Sequence, residues 1–256
     1  MNEVEISQRA GVLELRLNRP AKKNALTLAM YRSLAQALKS AESDRSARVV
    51  LLTAAGDAFC AGNDISDFLA AQGLDVESAP PFQFLRALVG CEKPIVAAVH
   101  GAAVGVGATM LLHCDLVYAS DGAKLSMPFV NLGLVPEAAS SLLLPARVGH
   151  AVASEMLLLG TAIDARRAKD LGLVNHVLPS PGELDAFARG KAEELAAKPP
   201  RALRTTRKLL WGDRAPVLAR LEEEGRHFDE SLGSPEAKEA FTAFLERRAP
   251  DFTKLG

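Results

Sequence analysis

The chain has 256 residues, 48% hydrophobic and 24% charged, with a formal net charge of −1. That size and balance suit one large buried core with a small helical appendage, and exclude a disordered chain. The near-neutral charge, the lack of a dense basic patch and an aromatic content of 5% argue against a nucleic-acid partner.

The N-terminus, Met1-Asn2-Glu3-Val4-Glu5, is acidic where a signal peptide is basic and then apolar. No apolar run is long enough to span a bilayer, and the C-terminal Thr253-Lys254-Leu255-Gly256 is no peroxisomal address. Cys60, Cys91 and Cys114 form no CxxC or Cys/His cluster, so reduced thiols are expected. The expectation is a soluble, cytoplasmic protein without membrane partners.

Residues 4–6 and 12–17 alternate in character around Arg9-Ala10-Gly11 and are predicted to form a hairpin. Tyr31, Leu34, Leu38 and Ala41 recur at helical spacing behind Thr27, a suitable N-cap, which predicts a helix over 27–41. The apolar runs 49–53 and 95–99 read as buried strands, 107–113 as a buried helix and 116–119 as another strand. Residues 78–82, Ser-Ala-Pro-Pro-Phe, mark a mobile connection between two short helices, a place where lids occur. Strand and helix alternate to about residue 180, which is α/β architecture. Beyond it the pattern is helical over 183–197, 200–211, 215–231 and 235–248. The simplest parse is a catalytic core over 1–197 and a helical region over 198–256.

Glu137 stands alone in the apolar run 129–139, so it faces water, carries a buried partner or does chemistry. As a bland alternative, it is a first-turn acid of the helix predicted at 140–147. Two Gly-rich turns precede it. In Ala61-Gly62-Asn63-Asp64, Gly62 admits a close ligand and the Asn63 N–H projects towards it, while Asp64 reads as a helix cap. In the second, Gly101, Gly105 and Gly107 follow a strand and leave an unpaired N–H at Val106. Tight helix–strand packing explains those glycines equally well. A dinucleotide fingerprint is excluded, because its third glycine falls on Met110. A lone carboxylate with two N–H donors is the minimum kit for moving a proton beside a carbonyl. His100 reads as a packed strand-end residue, and His113, His150, His176 and His227 lack ligand spacing, so no metal is expected. Cys60 has no neighbours that would activate a thiolate.

Four ordered motifs carry a resemblance. Asn18-Arg19-Pro20 with Asn24-Ala25-Leu26, then FCAGND (59–64), HGAAVGVGA (100–108) and LGLVPEAASS (132–141) resemble the crotonase, or enoyl-CoA hydratase/isomerase, superfamily. KPPRALRTTRKLL (198–210) is similar to that family's C-terminal segment. The resemblance spans essentially the whole chain. It implies a spiral of ββα units with a C-terminal helical region that packs a homotrimer or a dimer of trimers. It also implies an acyl-CoA thioester as substrate, no separate cofactor, and an oxyanion hole made by the N–H groups of Asn63 and Val106. Lys22, Ala25, Leu26, Ala61, Gly62, Asp64, Ile65, Gly105, Gly107, Phe129 and Leu134 carry over as substrate-binding positions.

The sequence departs from the family's hydratases at their two glutamates, where it has Thr109 and Phe129. Glu137 instead matches the single acid of the peroxisomal-type isomerase branch. The resemblance therefore implies an isomerase that moves a 3-enoyl double bond to the 2-trans position. The alternatives are another one-acid reaction (weak hydration or thioester hydrolysis) and a non-catalytic acyl-CoA-binding protein.

Overall fold

The computed structural model describes residues 2–69, 77–253 and 255. The hairpin forms as β1 (Val4–Arg9) and β2 (Val12–Leu17), turning through Ala10 and Gly11, both at positive φ. In α1 (Leu28–Ser43) the Thr27 hydroxyl accepts the Met30 N–H, an N-cap. Then follow β3 (Val49–Ala54), α2 (Ile65–Leu69), α3 (Pro80–Gly90), β4 (Ile95–Val99), β5 (Ala102–Val104) and α4 (Val106–Thr109). The next elements are β6 (Leu116–Ser120), β7 (Lys124–Ser126), α5 (Ser140–Val148), α6 (His150–Leu158), β8 (Ile163–Asp164), α7 (Ala165–Asp170), β9 (His176–Leu178) and α8 (Pro181–Ala196). The tail is α9 (Pro200–Trp211), α10 (Ala215–Leu232) and α11 (Pro235–Glu246).

Six strands form the main sheet in the order β1-β2-β3-β4-β6-β9, parallel except for β1 against β2. The period of two along each strand sorts its side chains between two cores. Leu13, Leu15, Val50, Leu52, Ile95 and Ala97 face α1 and α3. Val12, Val49, Leu51, Val96 and Ala98 face α8, which presents Leu184, Ala188, Ala192 and Ala196. These four residues recur at every fourth position, so one smooth helix stripe lies flat on the sheet. Both faces of β3 and β4 are buried, which explains their unbroken apolar sequence.

Gly190 in the middle of α8 is exposed, and a Cβ there meets nothing within 4 Å. Gly190→Ala is therefore expected to raise unfolding free energy by about 1 kcal/mol, read by urea denaturation.

At the end of β4 the chain leaves the main sheet through Gly101 (φ +58), where a Cβ would sit 2.0 Å from the Asp57 carbonyl oxygen. It enters a second sheet in the order β5-β7-β8, which the sequence reading did not foresee. The buried helix expected over 107–113 is shorter: α4 gives way to a 3₁₀ turn over Met110–His113. Pro80 and Phe82 correct the expected mobile connection at 78–82. Pro80 starts α3 at a position that needs no N–H, and Phe82 is buried in the main core. Residues 70–76, which precede it, lie outside the described residues.

The tail is anchored to the core. Arg207 on α9 donates to Asp115 (2.7 Å) and to the Cys91 carbonyl (2.7 Å), and Trp211 donates to Asp115 (2.7 Å). Downstream, α10 packs on α3 and α5, and α11 on the 3₁₀ turn Val130–Leu132.

Candidate active site

The site is built from the loop before α1 upward. Asn24 is fully buried at φ 57. Its Oδ1 accepts the Arg19 N–H (2.8 Å), and its Nδ2 donates to the carbonyls of Ala55 and Ala58 (2.7 Å each). The Arg19 guanidinium reaches Asp64 (2.7 Å) and the Ala25 carbonyl (3.0 Å). The two asparagine-containing motifs thus fasten the loop over 18–26 to the first Gly-rich turn.

Leu26 and Asn63 form a parallel bridge, in which Leu26 N donates to Gly62 O (2.8 Å) and Asp64 N to Leu26 O (2.9 Å). In such a bridge the opposite residue's own N–H points away from its partner. The Asn63 N–H is therefore turned outward, and Gly62 makes the turn at φ +98. Tyr31, 1% exposed on α1, donates its hydroxyl to Asn63 Oδ1. Asp64 caps α2 by accepting the N–H groups of Ser66 (3.1 Å) and Asp67 (3.2 Å). Burial pushes the Asp64 carboxyl up, but the Ser66 hydroxyl, Arg19 and the Asp67 N–H outweigh it and hold it down to about 2.

A second bridge joins the two turns. Cys60 N donates to Ala102 O (3.0 Å) and Val104 N to Cys60 O (2.9 Å). Gly105 adopts φ 55, ψ −120, a region open to glycine. Its carbonyl accepts the N–H groups of Ala108 and Thr109 (2.9 Å each), so Val106 begins α4 with the free N–H of a first helical residue. Next to it, Gly107 lies so close to the first turn that a Cβ would meet Cys60 O at 2.6 Å.

Glu137 enters from the other side. Ala138 (φ 60) and Ala139 (φ 55) follow it, both left-handed and fully buried, a conformation costing alanine about 1–2 kcal/mol per residue. His113 Nε2 donates to the Ala138 carbonyl (2.8 Å). Burial holds that imidazole down at about 4, so it is neutral, with its proton on Nε2. The Glu137 Oε1 accepts the Thr109 hydroxyl (2.9 Å). Its Oε2 has no hydrogen-bond partner among the described residues. Thr109 lies three residues along α4 from Val106, a rise of about 5 Å. The carboxyl is thereby placed one helical turn from the free N–H. Glu137 is 7% exposed, and burial pushes it from 4.5 up to about 7; the Thr109 bond opposes this and the Glu224 charge adds to it. A carboxyl poised there exchanges a proton readily at neutral pH.

A cleft of about 510 Å³ runs beside these groups. Asn63 and Val106 line it together with Lys22, Ala25, Ala61, Gly62, Asp64, Ile65, Gly105, Phe129 and Leu134. Two expected binding positions, Leu26 and Gly107, are not among the residues lining the cleft. Leu26 is 2% exposed with its side chain in the main core, and serves the site through its backbone bridge. Gly107 is covered by Cys60 and acts by close packing. Glu137 is not itself among the lining residues; it lies behind them, joined through Thr109 to the helix that Val106 begins.

Sequence reasoning missed the other wall, formed by Phe228, Phe241, Phe244 and Leu245 from α10 and α11. It also passed over Tyr31, visible only as one of several apolar helix positions, and over Thr109, noted as a missing acid rather than a donor. The remaining candidates are structural. His100 Nε2 donates to the Gly56 carbonyl (3.0 Å), and burial pushes the Cys60 and Cys91 thiols up to about 12. No cluster of three metal-ligating side chains occurs among the described residues.

The family model "Enoyl-CoA hydratase/isomerase" matches residues 7–255. Rat "Enoyl-CoA delta isomerase 2" is 38% identical over 86% of the chain, which spans 57% of that longer protein. The "2,3-dehydroadipyl-CoA hydratase" of Escherichia coli is 35% identical over 98% of the chain and 99% of its own length. The crystal structure of an enoyl-CoA hydratase/isomerase from Pseudoalteromonas atlantica superposes with a TM-score of 0.92 at 45% identity, covering 98% of this chain and 100% of that one. The fold is the mixed α/β crotonase fold, and the chain belongs to the enoyl-CoA hydratase/isomerase family.

Proposed function

We propose that the protein is an isomerase that converts a 3-enoyl-CoA to a 2-trans-enoyl-CoA with Glu137 as its single proton shuttle. The observation that carries this reading is the hydrogen bond from Thr109 to Glu137. Thr109 stands where a hydratase of this family has its first glutamate, and here it holds the remaining acid. Phe129, where the second would stand, puts an apolar ring into the cleft and disfavours an attacking water.

In this reading the thioester carbonyl oxygen lies between the N–H groups of Asn63 and Val106. Glu137 Oε2 removes a proton from C2, and the electron pair moves onto the carbonyl oxygen as an enolate held by the two donors. Collapse of the enolate shifts the double bond to C2=C3, and the same carboxyl returns its proton to C4. Each donor in such a pair is worth about 3 kcal/mol of barrier. Lys22 and Lys23 at the rim supply positive charge for the CoA phosphates, and no separate cofactor takes part. A homotrimer or dimer of trimers belongs to the same reading, supported by Leu209 (77% exposed) and Leu210 (82%) side by side on α9.

The test is turnover of a 3-enoyl-CoA and of crotonyl-CoA by the same preparation. Isomerisation is expected to exceed hydration by about 100-fold or more, since hydration lacks a second acid–base group. Equal rates would overturn the single-acid mechanism.

A further inference from the structure

Glu224 is a buried acid that the proposed chemistry leaves unused. It lies on α10, is 5% exposed, and reaches the first turn of α5. There its Oε1 accepts the Ser141 N–H (2.9 Å) and the Ser141 hydroxyl (2.5 Å). Its Oε2 is enclosed and accepts no hydrogen bond of good geometry, although the Ala139 N–H is directed at this carboxylate. A carboxylate with one sealed, unpaired oxygen is costly, and such a group calls for a reason. Ala139 cannot supply the cap itself, because it is left-handed (φ 55, ψ 23) where a capping side chain needs an extended residue, so the cap comes from α10.

The reason lies in the turn that precedes α5. Glu137 opens it, Ala138 and Ala139 follow in strained left-handed conformations, and neither has room to relax. His113 holds the turn at the Ala138 carbonyl, and Glu224 holds it at Ser141. We propose that Glu224 is a positioning residue for Glu137: it clamps the strained turn that aims the base and sets a second buried carboxyl group against it. The tail helix α10 thereby governs both the angle and the charge of the acid. This inference rests on the role given to Glu137 above.

The groups facing the pair leave little else to perform that task. Tyr31 from α1 and Cys60 from the first turn both face Glu137, and burial pushes both further from ionising, Cys60 to about 12. His113 is held neutral. Arg220 donates to the Ser141 hydroxyl (3.0 Å) and is also paired with Glu223 (2.9 Å), while Arg86 of α3 is taken by Glu222 (2.5 Å). Burial pushes Glu224 itself up, against the Ser141 bonds, the Ala139 N–H and Arg220. Two carboxyls in one apolar neighbourhood repel when both ionise, so removing the Glu224 charge makes Glu137 ionise at lower pH.

The experiment titrates Glu137 directly by infrared difference spectroscopy, following the protonated-carboxyl band that Glu137→Gln removes. In Glu224→Gln, which keeps the shape and an acceptor for Ser141, the midpoint is expected to fall by about half a unit or more. The rising limb of the isomerisation pH profile should move with it, while kcat on the alkaline plateau stays within about twofold. Glu224→Met, which has no polar head, should show the same midpoint shift. In addition its kcat should fall about tenfold at unchanged KM, because the Ser141 clamp is released. A merely structural Glu224 would lower the Tm of both variants and leave the midpoint where it was. An unchanged midpoint in both would overturn the proposal. A shifted midpoint in a protein that does not isomerise 3-enoyl-CoA would sustain the coupling and overturn the assigned reaction instead.

Discussion

Glu137→Gln is expected to lower isomerisation by about 10⁴-fold while leaving the affinity for a saturated acyl-CoA nearly unchanged. The substitution keeps the volume and an acceptor for the Thr109 hydroxyl, so the turn at Ala138 and Ala139 has no cause to move. It removes the one group that both takes the C2 proton and returns it at C4. The same variant carries a thermodynamic signature. The folded protein holds this carboxyl at about 7 against 4.5 for an ordinary one, so folding favours its protonated form. Below about pH 4.5 both folded and unfolded states are protonated and no penalty arises. Between about pH 4.5 and 7 the unfolded chain ionises while the folded one stays protonated, so stability falls by about 3 kcal/mol relative to a chain without the group, and above 7 the loss is complete. Glu137→Gln should therefore be more stable than the parent at pH 8 by about that amount and equal to it at pH 4.5, read by urea denaturation at the two pH values. Equal stability at both would mean that the carboxyl is solvated, and more than about 1% residual turnover would remove it from the shuttle role.

That a buried acid lowers stability and raises reactivity in one stroke was partly legible in the sequence. Glu137 alone among apolar residues left three readings, of water, a buried partner or chemistry, and the structure shows it buried. The strands β3 and β4 were legible for a related reason: a parallel strand covered on both faces is apolar throughout. The tail helices were legible because Pro and Gly punctuate them, and the structure ends α9 at Trp211 and begins α11 at Pro235 as that punctuation implies.

The second sheet was not legible. Ala102–Val104 and Lys124–Ser126 are three residues long, too short for any alternation to show, and they pair across residues distant in sequence. Nor was Glu224. On sequence it is one of three consecutive glutamates on a charged helix, and nothing local separates the one that turns inward from its solvated neighbours. Leu26 and Gly107 show the converse limit: their places in the motifs were recognised, but the motif does not distinguish a residue that touches a ligand from one that holds its neighbour in place.

Gly107→Ala tests that second kind of residue. The added Cβ would stand 2.6 Å from the Cys60 carbonyl oxygen and 2.8 Å from the Cys60 side chain, both fully enclosed, so one turn must give way. Ordinary contact begins near 3.4 Å, which sets the displacement at about 0.8 Å. Gly107 adjoins Val106, and Cys60 stands three residues before Asn63. Any movement that relieves the clash therefore separates the two free N–H groups. An enolate oxygen between them then keeps one good hydrogen bond and loses much of the other. Misplacement on this scale is expected to lower kcat by about 100-fold. Binding of the CoA portion should persist, because Asn24 and Arg19 tie the loop over 18–26 to the first turn and the two move together. The readouts are kcat for 3-enoyl-CoA, the affinity for a saturated acyl-CoA, and the Glu137 infrared midpoint, which should stay near its parental value since the Thr109 bond is formed beyond the displaced residue. If kcat falls only a few-fold while the fold and the midpoint are retained, the spacing of the two turns does not govern the barrier. The donor pair would then have to be sought elsewhere in the cleft.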